Sequence, residues 1–240
     1  MRRPVSPGRR RRWLALAMAS FSAVGLFSGP VPDHIAVYSG LEDVFAFSLE
    51  APLEFAPGTV GRYRNIDTLV LGAIIRRTVE AVGESYHHWP QRMLFDALGT
   101  DDFVLETDAS GHFVLSGYLY GTAEAWARLA LLFLRGGVVD DQRLMPESFV
   151  DFVRTPGAAW PGAEFGGQFW LDADERCGLP EDAYCMLGSG GQMACIVPSY
   201  DAVLVRFGHI NRRRAGPDPP RSWVEIVNAH LARAVSPTPE

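Results

Sequence analysis

Lysine is absent from this chain, because all 22 of its basic residues are arginine. Arginine stays protonated at ordinary pH, so it cannot shuttle a proton as a general base. These 240 residues therefore exclude a lysine base, a lysine Schiff base and a phosphate-binding loop of the G-x-x-x-x-G-K type.

Other signatures of catalysis or cofactor binding are missing too. The sequence has no G-x-S-x-G nucleophile elbow, no H-E-x-x-H helix and no G-x-G-x-x-G loop. The formal net charge of −6 argues against a nucleic-acid partner. We therefore expect no cofactor and no bound nucleic acid.

Cysteine is scarce, with only Cys177, Cys185 and Cys195 present. They show no C-x-x-C spacing and no histidine pair at zinc-ligand distance, so we expect no metal site. Cys177 and Cys185 bracket a short polar loop and could pair in an exported protein. Three unpaired thiols are the alternative.

The N-terminal segment has the composition of a leader. Six arginines lie in residues 1–12, and residues 14–27 form an apolar run. This run is shorter than the roughly 20 residues of a transmembrane helix, so we expect no stable membrane span. We predict a signal peptide over residues 1–33, which implies export to the periplasm or outside the cell. A misplaced start codon, with a cytoplasmic protein, is the competing explanation.

What the sequence does contain, at 48% hydrophobic residues, is enough apolar material for one domain over residues 34–240. Hydrophobic periodicity and turn residues predict helices in the middle of the chain, followed by short strands and a terminal helix. The fold class is therefore α+β, with an antiparallel sheet flanked by helices. The predicted helices span 41–51, 67–82, 90–98, 122–135, 146–154 and 221–234, and the predicted strands span 113–120, 165–171, 192–198 and 202–207.

Two segments stand out as candidate functional motifs. The first, residues 57–75, places Tyr63-Arg64-Asn65 after a Pro-Gly turn and directly before a predicted helix. The second, residues 187–208, has a glycine-rich turn, with Ser189-Gly190-Gly191, that enters a strand, then a Pro-Ser-x-Asp turn and a second strand. In purely structural terms the first would be a turn aromatic followed by an asparagine helix cap. The second would then be only a strand-entry turn.

Together these segments resemble the serine β-lactamase/DD-peptidase family of penicillin-recognising hydrolases. The order P-G-T, then Y-x-N, then a helix, then an edge-strand turn at the K-T-G or H-x-G position is similar to its esterase and amide-hydrolase branches. The resemblance covers roughly residues 36–234. It implies the family fold and a small-molecule amide, ester or peptide substrate, cleaved through an acyl-enzyme.

Carried over to this chain, the resemblance implies that Tyr63 is the catalytic acid/base and that Asn65 binds the substrate. It also implies that Ser189, Gly190, Gly191 and Gln192 form the substrate-binding edge, with the Gln192 backbone N–H as an oxyanion donor.

The chain departs from the family pattern at its reactive centre. Without lysine there is no S-x-x-K nucleophile motif, and Ser189 stands where the family has lysine or histidine. We therefore expect a C-terminal portion of the domain that is inactive alone. A ligand-binding relic and a gene fragment without independent function are the alternatives.

Overall fold

The computed structural model describes residues 36–38, 40–208, 225 and 227–230. The predicted leader and most of the predicted terminal helix lie outside these residues, although 225 and 227–230 are helical. None of the helices among these described residues combines the length and the apolar composition that a transmembrane span needs.

A helical layer comes first along the chain. Helix α1 (Val44–Glu50) begins at Asp43, whose carboxylate accepts the Ala46 N–H. It packs against helix α2 (Asn65–Ala81), which lies within two residues of the predicted 67–82 at each end. Around these two helices lies one hydrophobic core, which includes Ile66 and Leu69.

The middle of the chain confirms three more predicted helical segments. One π-helical turn covers Gln91–Phe95. Helix α3 (Ala123–Leu134) starts at Thr122, whose side chain accepts the Ala125 N–H, and helix α4 (Glu147–Val153) follows Pro146. Small paired strands lie between them: β1 (Val104–Leu105) with β2 (Leu119–Tyr120), and β3 (Val138–Val139) with β4 (Gln142–Arg143).

The main sheet is an antiparallel meander in the order β5-β6-β7. Its strands are β5 (Tyr184–Gly188), β6 (Gln192–Val197) and β7 (Ala202–Arg206), with a 3-10 turn at Pro198–Tyr200. Helix α3 packs on β6 and β7, and helix α5 (Ala173–Cys177) belongs to the core on the other side of β6. These features confirm the predicted α+β class with an antiparallel sheet and helices.

Two predicted strands are wrong. Residues 113–120 form no continuous strand: Phe113 makes an isolated bridge with Thr107, a turn follows, and only the two residues of β2 are extended, since Tyr118 has a left-handed φ of 56° that no regular strand adopts. Residues 165–171 contribute only isolated bridges, because Gln168 has a φ of 73°. Neither β5 nor α5 was predicted.

The cysteine pairing corrects the suggestion that Cys177 joins Cys185. Cys185 and Cys195 face each other in the β5-β6 register, with Cα atoms 4.1 Å apart, and they form a disulfide. Cys177 is buried at the end of α5. The strand register, rather than the short loop between Cys177 and Cys185, brings the bonded sulfurs together.

Candidate active site

An ion-pair clamp fixes the extended segment that carries Tyr63. Arg62 Nη1 lies 2.7 Å and 2.8 Å from the two carboxylate oxygens of Glu54, and Arg64 Nη1 lies 2.9 Å from Glu54 Oε2. The Arg64 side chain is only 4% exposed. Because alternate residues of an extended chain point to opposite sides, this shared carboxylate turns Tyr63 away from the clamp.

Aromatic rings support the Tyr63 side chain from behind. Trp170 stacks on it at 5.4 Å between ring centroids, and Phe165 meets it edge-on at 5.6 Å. Trp170 is itself held, because its backbone exchanges two hydrogen bonds with Cys185 of β5 and its ring lies under the Arg176 guanidinium at 4.0 Å. The phenol is therefore positioned by packing, with 47% of the residue exposed.

The protonation of Tyr63 limits what it can do. Burial raises the pKa of this phenol above its ordinary value of 10.0. At neutral pH the hydroxyl therefore keeps its proton and can donate a hydrogen bond, but it is not a phenolate base. The two cationic side chains next to Tyr63 in the sequence, Arg62 and Arg64, both bind Glu54, as described above.

A shallow cleft that opens to solvent lies beside Tyr63. We call it the Tyr63 cleft. One wall comes from the Tyr63 segment and the start of α2, and the other from α4 and the loop after it. Its lining residues are Arg62, Tyr63, Arg64, Asp67, Thr68, Phe152, Gly157, Trp160, Phe165, Gly166, Gly167 and Gln168.

The structure does not gather all the predicted site residues around this cleft. Asn65 is buried as the first residue of α2 and is not among the lining residues. None of the described lining residues comes from Ser189–Gln192 either. The assignment of catalysis to Tyr63 and of substrate binding to Asn65, Ser189, Gly190, Gly191 and Gln192 therefore remains a prediction.

The Ser189 turn, residues 189–191, closes the β5-β6 hairpin. Gly190 and Gly191 have φ values of 79° and 82°, which explains the need for glycine there. The Gln192 side chain is bound to the backbone of Gly208, with Nε2 donating to the carbonyl at 2.6 Å and Oε1 accepting the N–H at 3.0 Å. Ser189 itself is exposed.

One cluster among the described residues has the composition of a metal site. Ligand atoms of Asp43, Asp108 and His112 lie within 4.8 Å of one another. The carboxylates already accept backbone N–H groups: Asp43 from Ala46, and Asp108 from Val44 and His112. This geometry fits a structural tie between the start of α1 and the 108–112 turn.

Sequence reasoning missed the loop from Phe165 to Trp170, which contributes both the ring support and one wall of the cleft. Its signal was the adjacent pair Gly166-Gly167 inside a run of aromatic residues. Glycine inside a strand-like pattern often marks a close backbone approach, which would have argued against a regular strand.

Solved structures with the same fold include several hydrolases. The chain has a TM-score of 0.69 and 23% identity to a protein named as a 6-aminohexanoate-dimer hydrolase from Bacillus anthracis, with 92% of this chain and 60% of that chain covered. A β-lactamase from Mycobacterium bovis has a TM-score of 0.60 and 19% identity to this chain, with 94% of this chain and 85% of that chain covered. A penicillin-binding-protein homolog from Caulobacter crescentus has a TM-score of 0.57 and 16% identity, with 82% of this chain and 65% of that chain covered. At such identities the likeness concerns the fold.

The chain thus spans less than two thirds of the length of the Bacillus anthracis protein. No curated protein sequence matches it significantly. The family model described as Beta-lactamase matches residues 12–227, starting well before residue 36, where the resemblance was expected to begin. Since this match covers most of the chain and agrees with the fold, the protein belongs to the Beta-lactamase family of serine hydrolases.

Proposed function

We propose that these 240 residues carry the substrate cleft of an acyl-enzyme hydrolase for small amide, ester or peptide substrates, and that they do not form the acyl-enzyme by themselves. One observation carries the second half of the proposal. An S-x-x-K motif needs a lysine, and the sequence contains none. In this proposal Tyr63 binds or protonates the substrate, and the chain is the C-terminal portion of the domain.

The state of Tyr63 supports this proposal. A phenol whose pKa is raised by burial is not a base that could activate a serine hydroxyl at neutral pH. The ring is nevertheless held in place by Trp170 and Phe165 at the edge of an open cleft. These features support a binding role for Tyr63 in a site that lacks the activating charge of the family.

Covalent labelling tests the proposal directly. The purified chain is incubated with a fluorophosphonate probe and, separately, with a fluorescent penicillin, and its intact mass is measured. A β-lactamase that carries S-x-x-K serves as the positive control. We expect no adduct on this chain. Stoichiometric labelling of one serine would contradict the proposal, and Ser189→Ala would then show whether Ser189 is that residue.

The alternative is a ligand-binding protein without turnover, and the intact Tyr63 cleft is the observation that favours it. Both hypotheses expect saturable binding without product formation by this chain, so they differ in whether turnover appears when a family segment that carries S-x-x-K is supplied: turnover would support the hydrolase part, and its absence would support this alternative. A third hypothesis is that the chain is a fragment with no independent function. It predicts instead that the isolated chain aggregates and shows no cooperative thermal unfolding.

We also propose that the protein is exported. The Cys185–Cys195 disulfide supports this, since disulfides persist in oxidising compartments and are rare in the cytosol. Intact mass of the chain from periplasmic and cytoplasmic fractions tests the location. Recovery of unprocessed, reduced protein only from the cytoplasm would contradict it.

A further inference from the structure

Gln168 sits on the wall of the Tyr63 cleft in a strained backbone conformation. Its φ of 73° lies in the left-handed region, which residues other than glycine rarely occupy. Such a conformation costs free energy and persists only where the surroundings impose it, most often at binding and catalytic sites. Because a glycine would adopt this φ without strain, the presence of a glutamine at this position needs an explanation.

The backbone around Gln168 is fixed by its contacts with α4. The Gly167 N–H donates to the Val153 carbonyl at 3.1 Å, and the Gly166 N–H donates to the Phe169 carbonyl at 2.9 Å. A Cβ on Gly167 would come within 2.6 Å of the Phe152 ring. The two glycines thus let the loop lie against the end of α4, and this placement puts Gln168 on the cleft wall.

The amide group of Gln168 has one end bound and one end available. The Thr68 hydroxyl donates to Gln168 Oε1 at 3.1 Å, which sets the orientation of the amide. The Nε2 hydrogens have no acceptor among the described residues. Thr68 and Gln168 both line the cleft. The amide therefore offers a hydrogen-bond donor to an acceptor such as a carbonyl oxygen.

The described charged groups at the cleft are of both signs. Arg62, Arg64 and Asp67 line it, and both arginines bind Glu54, which lies outside the lining. Counted together, these four described groups carry no net formal charge, so they provide no net Coulombic attraction for an anionic ligand. The Trp160 and Phe165 rings add apolar walls suited to a flat, uncharged group.

We propose that Gln168 is a specificity-determining residue that donates a hydrogen bond from Nε2 to the carbonyl oxygen of a neutral amide in the Tyr63 cleft. Ligands with a carboxylate beside that amide, including penicillins, are disfavoured. The inference rests on the proposed function in so far as this cleft is the substrate cleft. It narrows the proposed amide, ester or peptide substrates by charge, to those without a carboxylate beside the bound carbonyl group, and the amide is the member tested.

A matched pair of probes tests the charge preference. N-benzoylglycinamide and N-benzoylglycine differ only in an uncharged amide against a carboxylate, and their binding to the full chain is measured by calorimetry and tryptophan fluorescence. We expect saturable binding of the amide and binding of the carboxylate weaker by roughly tenfold or more. No binding of the amide, or tighter binding of the carboxylate, would overturn the proposed ligand class.

Two substitutions test the role of Gln168. Gln168→Glu replaces the donor with a carboxylate of the same shape, and Gln168→Gly removes the side chain while adopting the positive φ freely. Each is expected to weaken N-benzoylglycinamide binding roughly tenfold, while Gln168→Gly melts no lower than the wild type. Gln142→Glu, an exposed position in β4, is the control for the added charge and should leave binding unchanged.

Equal affinity of the wild type, Gln168→Gly and Gln168→Glu for the amide would refute the role of Gln168. The melting temperature separates a binding effect from misfolding, since a well-folded Gln168→Gly protein that no longer binds has lost only the side chain. Covalent labelling of the chain by the fluorophosphonate would refute the proposed function and leave the Gln168 result intact. The two proposals therefore fail through different measurements.

Discussion

The Tyr63 segment and the Ser189 turn both resemble family motifs, yet their surroundings differ. Tyr63 is held by side chains, through ring stacking and the Glu54 clamp, and it borders an open cleft. The Ser189 turn is held by bonds to backbone groups, since the Gln192 amide is bound to Gly208 and Arg206 Nη1 donates to the Gly191 carbonyl at 2.7 Å. Side-chain support that leaves a polar group open to a cleft fits a binding role. Polar groups already bound to neighbouring backbone fit a role in keeping the hairpin closed.

The largest expected effect comes from crowding the hairpin. Gly208 packs so closely that a Cβ there would overlap the Gly190 and Gly191 carbonyl oxygens. Gly208→Val should therefore lower the free energy of unfolding by about 3 kcal/mol, measured by urea denaturation. Gly208→Ala is the graded control and should cost less. A valine variant as stable as the wild type would mean that the turn is not packed as described.

Removing the disulfide between β5 and β6 should have the next largest effect on stability. The Cys185–Cys195 disulfide closes a short loop, with a sequence separation of 10. The double variant Cys185→Ala/Cys195→Ala should lose about 2–3 kcal/mol of stability in oxidising buffer. Adding a reductant should destabilise the wild type and leave the double variant unchanged. Equal stability of the two proteins without reductant would contradict the disulfide.

Removing either arginine of the Glu54 clamp should show that the buried ion pair contributes more to the free energy of unfolding than the exposed one. Arg64→Ala should cost about 2 kcal/mol, because its side chain is buried and Glu54 would lose a buried partner. Arg62→Ala should cost less than about 1 kcal/mol, since Arg62 is 45% exposed. Chemical denaturation of both variants measures the difference, and equal losses would show that burial does not decide the strength of the clamp.

A smaller effect is expected at the phenol. Tyr63→Phe keeps the ring stack and removes only the hydroxyl, so N-benzoylglycinamide should bind roughly fivefold more weakly. Because burial raises the pKa above 10.0, the hydroxyl stays protonated as the pH rises to that value. The affinity of the wild type should therefore be constant from about pH 6 to pH 9. Binding titrations with N-benzoylglycinamide across this pH range test the prediction, and a loss of affinity near neutral pH would indicate a phenolate.

The smallest effect belongs to the tip of the hairpin. Ser189 is exposed, and no contact of its side chain supports the turn among the described residues. Ser189→Ala should change stability by less than about 0.5 kcal/mol and the amide affinity by less than about twofold. A large loss of binding with normal stability would place Ser189 in the substrate site and remove the contrast between the two segments.

Local signals account for the parts of the fold that were predicted correctly. Helix α3 follows from its own sequence, with Thr122 as the cap and Gly136-Gly137 beyond the end. The hairpin from β6 to β7 follows from the apolar runs on either side of Pro198.

Contacts distant in sequence decided what the sequence did not reveal. The residues from Phe165 to Trp170 pack on Tyr63 about a hundred positions earlier in the chain, and this packing, not a strand, explains their aromatic pattern. The cysteine pairing depends on the register of β5 with β6, and β5 itself was not predicted. The cleft combines a wall from α2 with one from the loop after α4, so no single segment indicated it.

The stacking of Trp170 on Tyr63 also has an entropic consequence. A side chain that becomes ordered only when a ligand arrives reduces affinity by about 0.5–1.5 kcal/mol. Trp170 is anchored to Cys185 through its backbone and to Arg176 through its ring, so the Tyr63 ring loses its rotational freedom when the protein folds. A ligand that enters the cleft therefore meets a phenol whose orientation is already set, and even a small neutral molecule with few contacts can gain from it.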